Sequence, residues 1–164
     1  CAVVVMGVSG CGKTSVGQGL AARIAAPFVE GDALHPAANV RRMAEGAPLT
    51  DEDRLPWLHA IAARIAGETA PCIVVSCSAL KRSYRDLLRR HAGRPVAFVY
   101  LYGSEALLAE RMGARTGHFM PPSLLASQLA ALEEPADATI VDIRLPAAEQ
   151  VGAIRAELAP GPAR

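Results

Sequence analysis

Ala2-Val3-Val4-Val5-Met6-Gly7-Val8-Ser9-Gly10-Cys11-Gly12-Lys13-Thr14 runs an apolar stretch into a glycine-rich loop, and a segment of helical period follows at once. Residues Gly7 to Thr14 match G-x-x-x-x-G-K-[ST] in full, the pattern of a loop that cradles phosphates between a strand and a helix. Its glycines let the backbone curl so that successive N–H groups point inward, and the helix N-terminus adds partial positive charge. In such a loop Lys13 bridges the β- and γ-phosphates of a nucleoside triphosphate, and the Thr14 hydroxyl ligates Mg²⁺. The expected phosphate-binding residues are therefore Gly7, Ser9, Gly10, Cys11, Gly12, Lys13, Thr14 and Ser15.

Outward from this loop, short apolar runs alternate with longer segments of helical period, as in parallel strands covered on both faces by crossover helices. Strands are expected near 2–8, 27–31, 71–77, 95–102 and 138–143. Val16, Leu20 and Ile24 form one helical stripe, and Leu58, Ile61 and Ile65 form another. Pro36 suits the first turn of a short helix after Asp32, whereas Pro56 leaves the start of the next helix open. Residues 32–69 read as a helical insertion over a substrate. Ser104 is expected to cap a helix running through Met112, followed by a lid loop at 113–122. With no internal repeat or linker, 1–164 reads as a single α/β domain.

Charge excludes some functions. Seventeen Lys and Arg stand against 16 Asp and Glu, so no overall field draws in nucleic acid, and aromatic residues at only 4% of the chain leave few platforms for stacking bases. No apolar run approaches the roughly 18 residues of a membrane span. The stretch Ala2–Met6 has no basic leader and is expected to be a strand, not a signal peptide. Cys1, Cys11, Cys72 and Cys77 show no metal-binding spacing and read as reduced thiols of a cytoplasmic protein, with oxidation of Cys11 toward Cys77 open if the first and third strands are neighbours.

The loop alone does not separate kinase from switch. No guanine-reading N-K-x-D occurs, and the third strand ends Ser76-Cys77-Ser78 without the usual carboxylate. Asp32, at the carboxyl end of the second strand, is the candidate in its place. It would accept the acceptor hydroxyl's proton, hold Mg²⁺ through water, or simply cap the next helix. Glu30 reads as a strand residue. Arg111 and Arg115 are placed to stabilise charge on the transferring phosphoryl group, with His118 following on the lid. Lys81 and Arg85, four apart near a helix start, are placed to reach an anionic acceptor, and the remaining charges of 81–94 read as a solvated face.

Several blocks occur together in order: Gly7 to Thr14, Gly31-Asp32-Ala33-Leu34-His35-Pro36 with Asn39, Pro48-Leu49-Thr50-Asp51-Glu52-Asp53-Arg54 with Pro56-Trp57-Leu58, Cys77-Ser78-Ala79-Leu80-Lys81 with Tyr84-Arg85-Asp86, and Gly117-His118-Phe119-Met120. In these blocks the chain resembles the gluconokinase family. The resemblance implies a three-layer P-loop kinase fold related to shikimate and nucleoside monophosphate kinases, with a five-stranded parallel sheet ordered 2-3-1-4-5. It further implies ATP and D-gluconate as substrates, Mg²⁺ as cofactor, and a cytoplasmic homodimer. Carried onto this chain, it makes Asp32 the residue that orients or deprotonates the acceptor hydroxyl. His35, Arg54, Lys81, Arg85 and His118 are then drawn on for gluconate's hydroxyls and carboxylate, with Trp57 packing on the acceptor or in the core. A kinase of another hydroxy acid such as shikimate, or a regulator that holds ATP without turnover, is the alternative.

Overall fold

The computed structural model describes residues 1–114 and 124–158. Five strands, β1 (Ala2–Met6), β2 (Phe28–Glu30), β3 (Ile73–Ser76), β4 (Val96–Tyr102) and β5 (Thr139–Asp142), pair in parallel in the order β2-β3-β1-β4-β5. Each lies within a residue or two of its expected position. β1 and β3 are buried along their whole length, which is why their sequences are continuous Val and Ile runs without alternation.

Seven α-helices flank this sheet among the described residues: α1 (Lys13–Arg23), α2 (Ala37–Ala44), α3 (Asp51–Ala66), α4 (Arg82–His91), α5 (Glu105–Gly113), α6 (Leu124–Ala131) and α7 (Ala147–Leu158). The pleat of β1 sorts its residues between two cores. Val3 and Val5 join Val16 and Leu20 of α1 and Ile154 of α7. Ala2, Val4 and Met6 join Leu58, Ile61 and Ile65 of α3 and Leu88 of α4 on the opposite face. Each three-residue helical stripe read from the sequence thus finds one face of the sheet, although Ile24 closes α1 as its C-terminal cap, only half-buried.

Helix starts are set locally. Ser104 Oγ accepts the Leu107 N–H at 3.2 Å, making the expected cap of α5. At α3 the Thr50 hydroxyl accepts from Asp53 N at 3.1 Å while the Asp53 carboxylate accepts from Thr50 N at 2.9 Å, a closed capping box. That box starts the helix before Pro56, which falls inside α3 on its exposed side. Pro36 caps α2 from just outside, and a 3₁₀ turn, Gly31–Leu34, precedes it. α6 and α7 lie beyond what the sequence reading assigned. The LLASQLAA of α6 is too evenly apolar to show a stripe, while Val151, Ile154 and Leu158 of α7 recur at helical spacing and were legible in principle.

The cysteines depart from expectation. Cys1 and Cys72 form a disulfide, because the parallel pairing of β1 with β3 brings the residues at the head of each strand to a Cα–Cα distance of 4.5 Å. Cys11 and Cys77 stay free although β1 and β3 are neighbours, and they belong to the two different apolar clusters. Among the described residues no helix is long and apolar enough to cross a membrane.

Candidate active site

The phosphate-binding loop sits at the carboxyl end of the central strand, where open parallel sheets bind ligands. Gly12, the N-cap of α1, has φ +91°, a conformation glycine adopts without the steric penalty of a side chain. No side chain caps α1, so its first-turn N–H groups stay available to an anion. Lys13 Nζ donates to Val8 O at 3.0 Å, which folds the ammonium over its own loop. Cys11 is fully buried under the loop and fills space there.

Glu30 is more than a strand residue, contrary to expectation. The Thr14 hydroxyl donates to Glu30 Oε2 at 2.5 Å, and the Ser76 hydroxyl donates to Glu30 Oε1. Ser76 Oγ in turn accepts the Gly31 N–H at 3.2 Å. The ends of β2 and β3 approach so closely that a Cβ on Gly31 would lie 2.0 Å from Ser76 O. Glycine is therefore required between the two carboxylates, with Glu30 bonded to the loop threonine and Asp32 lining the cleft. The sequence carried one usable signal for Glu30: two carboxylates flanking a glycine at a strand's carboxyl end.

Asp32, His35, Arg54 and Trp57 line the same cleft as Ser9 and Lys13. His35 stacks on Trp57 with ring centroids 4.1 Å apart and planes within 12°. The indole is buried and donates from Nε1 to Gly31 O at 2.8 Å, so Trp57 is core and cleft wall together. His35 Nε2 lies 4.0 Å from Asp32 Oδ1. Burial first, and the Arg54 guanidinium second, bring the His35 imidazole down to about 4, so it is neutral near pH 7. Arg54 Nη1 donates to Leu49 O at 2.9 Å and to Tyr84 Oη at 3.1 Å.

The other basic candidates are dispersed. Lys81 pairs with Asp51 at 2.8 Å, and the Tyr84 hydroxyl donates to the same carboxylate; Lys81 does not line the cleft. Arg85 is a correction: it is buried and donates to Ala79 O at 2.8 Å, Leu80 O at 3.0 Å and Glu133 O at 2.9 Å. Its donors tie the chain after β3 to the segment before β5 and do not face the cleft. Arg111 Nη2 donates to Ile143 O at 2.8 Å and is likewise not in the cleft lining. Ser15, exposed on α1, also lies off this cleft. Arg115 and His118 fall outside the described residues, as does most of the 113–122 lid. One residue the sequence did not single out is Gln128 of α6, buried, which accepts from Ser9 N at 2.7 Å and donates to Ser9 Oγ at 3.1 Å.

For a metal, Thr14 Oγ1 and the Glu30 carboxylate supply adjacent hard oxygen ligands of the kind Mg²⁺ takes. Among the described residues no three His, Cys, Asp or Glu side chains gather into a metal cage. This donor set suits an ion that shares its coordination with substrate phosphates.

A complete phosphate-binding loop at the head of a 2-3-1-4-5 parallel sheet, facing an acidic and basic acceptor wall, defines a P-loop kinase. Residues 3–135 match a family model described as an AAA domain. A gluconokinase of Gluconobacter oxydans is 54% identical over 82% of this chain and 76% of its own length. The thermoresistant gluconokinase of Escherichia coli is 44% identical over 87% of this chain and 85% of its own. The crystal structure of a gluconokinase from Sinorhizobium meliloti superposes with a TM-score of 0.87 at 57% identity, covering 96% of this chain and 91% of that one. The chain belongs to the gluconokinase family.

Proposed function

We propose that this kinase transfers the γ-phosphoryl group of ATP to D-gluconate, giving ADP and 6-phosphogluconate. The observation that carries the proposal is a cleft that Lys13 of the phosphate-binding loop lines together with Asp32, His35 and Arg54 of the insertion, in a chain of this family.

Phosphoryl transfer needs placement and charge stabilisation more than covalent chemistry. The loop's N–H groups and the α1 N-terminus hold the phosphates. Lys13 exchanges its bond to Val8 O for the β- and γ-phosphate oxygens. Asp32 orients the acceptor's terminal hydroxyl and takes its proton. Arg54, already fixed by Leu49 O and Tyr84, offers its remaining donors to the acceptor's carboxylate or hydroxyls. Thr14 and Glu30 would hold the Mg²⁺ that comes with ATP, which would neutralise charge on the phosphate oxygens, a role that falls better to Glu30 than to Asp32 because Glu30 meets Thr14 directly. Arg115 is assigned to charge on the transferring phosphoryl group, and the resemblance assigns His118 to the acceptor. The resemblance extends the proposal to a cytoplasmic homodimer, and in a reducing compartment Cys1 and Cys72 are a dithiol.

The test measures ADP release from Mg²⁺-ATP with D-gluconate, shikimate, nucleoside monophosphates or no acceptor, with product mass read by mass spectrometry. Turnover with gluconate alone, yielding a product one phosphoryl group heavier, is expected. Turnover only with another acceptor would discard gluconate and keep the kinase, and tight ATP binding without any turnover would leave a regulator.

A further inference from the structure

Asn39 stands on α2, buried, and touches no residue of the phosphate-binding loop in any bond described above. Its Nδ2 donates to Asp53 O at 2.8 Å and lies 3.4 Å from His35 Nδ1. A backbone carbonyl only accepts, so the atom of Asn39 that faces Asp53 O is the amide nitrogen, and its second hydrogen faces the imidazole. Nδ1 of His35 must then be the acceptor, and the ring's single proton sits on Nε2. Stacking on Trp57 holds the ring plane, leaving Nε2 4.0 Å from Asp32 Oδ1.

That separation is too long for a direct hydrogen bond. One oxygen bonding to both atoms at about 2.8 Å each reaches across it when the two bonds meet at roughly 90°, tighter than tetrahedral. We propose that His35 Nε2–H and Asp32 Oδ1 grip one acceptor hydroxyl between them, and that Asn39 is the positioning residue that makes the grip possible by fixing the His35 tautomer. The hydroxyl oxygen accepts from Nε2–H and donates to Asp32, which turns its remaining lone pair outward for attack. In the opposite tautomer two acceptors, Nε2 and Asp32, would compete for one proton and the oxygen would lose its donor. This inference rests on the role given to Asp32 in the proposed function; the tautomer itself does not. The other charged group facing the ring is Arg54, which together with burial keeps the imidazole neutral across the working pH range.

The experiment reads His35 directly by ¹⁵N-labelled histidine NMR of the full chain without substrate. The expected result is a neutral ring protonated at Nε2 throughout pH 5.5–8; protonation at Nδ1, or an imidazolium at pH 7, overturns the proposal. Asn39→Asp should move the proton to Nδ1, lower kcat about 10- to 100-fold at pH 8 with KM for ATP unchanged, and recover activity toward pH 6 as the imidazolium restores Nε2–H. An unchanged tautomer and kcat in that variant overturn the role of Asn39. Should Asn39→Asp not fold, His35→Gln and His35→Asn decide the matter: the Gln amide reaches the place of Nε2–H and the Asn amide does not. His35→Gln should retain several-fold more kcat than His35→Asn, and equal loss in both overturns the grip. The NMR result stands whatever acceptor is used, so failure of gluconate as substrate is distinguishable from failure of the tautomer.

Discussion

The two sides of the cleft are built from different materials. The ATP side is one contiguous run, Gly7 to Thr14, whose chemistry lies in backbone N–H groups, a helix terminus and a single lysine. The acceptor side is assembled from side chains on separate elements: Asp32 from a 3₁₀ turn, His35 just after it, and Arg54 and Trp57 from α3, with Asn39 of α2 behind His35. Backbone geometry tolerates substitution wherever glycine and the lysine are kept, whereas a side-chain wall loses function one residue at a time.

The sharpest way to break this contrast is Lys13→Ala. It should lower kcat by roughly 10³-fold, the scale for removing a preorganised charge donor, while ATP-dependent thermal stabilisation weakens and the fold persists; steady-state kinetics and a thermal shift with ATP read both. Asp32→Asn comes next, with kcat down about 10²-fold and ATP binding unchanged in calorimetry. Near-wild-type turnover in that variant would remove Asp32 from the chemistry. Glu30→Gln tests whether the loop threonine shares its metal with β2: a Mg²⁺ titration of activity should shift about 10-fold to higher concentration and reach a similar plateau.

Trp57→Phe is expected to act on the acceptor side alone. It removes the indole N–H from Gly31 O, which keeps its bond within the 3₁₀ turn, costing about 0.5–1.5 kcal/mol by urea denaturation, and raises KM for the acceptor but not for ATP. A further test concerns pH. Because the folded-state value for His35, about 4, lies below the ordinary 6.5, the unfolded chain takes up the proton first as pH falls. The contribution of His35 to stability is therefore complete above 6.5 and is lost progressively toward 4. Urea midpoints at pH 5 and pH 7 should differ less in His35→Gln than in the wild type.

Legibility in the sequence followed the same division. The phosphate-binding loop was readable because its residues are consecutive, and the strands were readable because burial on both faces leaves unbroken apolar runs. The sheet order came only from family resemblance, since periodicity does not say which strands are neighbours. Glu30 was passed over because its partners, Thr14 and Ser76, arrive from α1 and β3. Arg85 was misplaced for the converse reason: charge alone does not tell whether a guanidinium faces a ligand or three backbone carbonyls. The Cys1–Cys72 bridge joins residues 71 apart in sequence, and only the pairing of β1 with β3 brings them together.

Among the described residues the sheet also separates the two large apolar clusters, one holding α1 and the other holding α3 and α4, beside a small third of Met43, Leu49 and Leu124. Inheritance feels this partition. Substitutions that reshape the α3 side are absorbed in a core that the ATP-binding helix does not share, so a descendant lineage is free to drift toward a new acceptor while its nucleotide machinery is passed on intact.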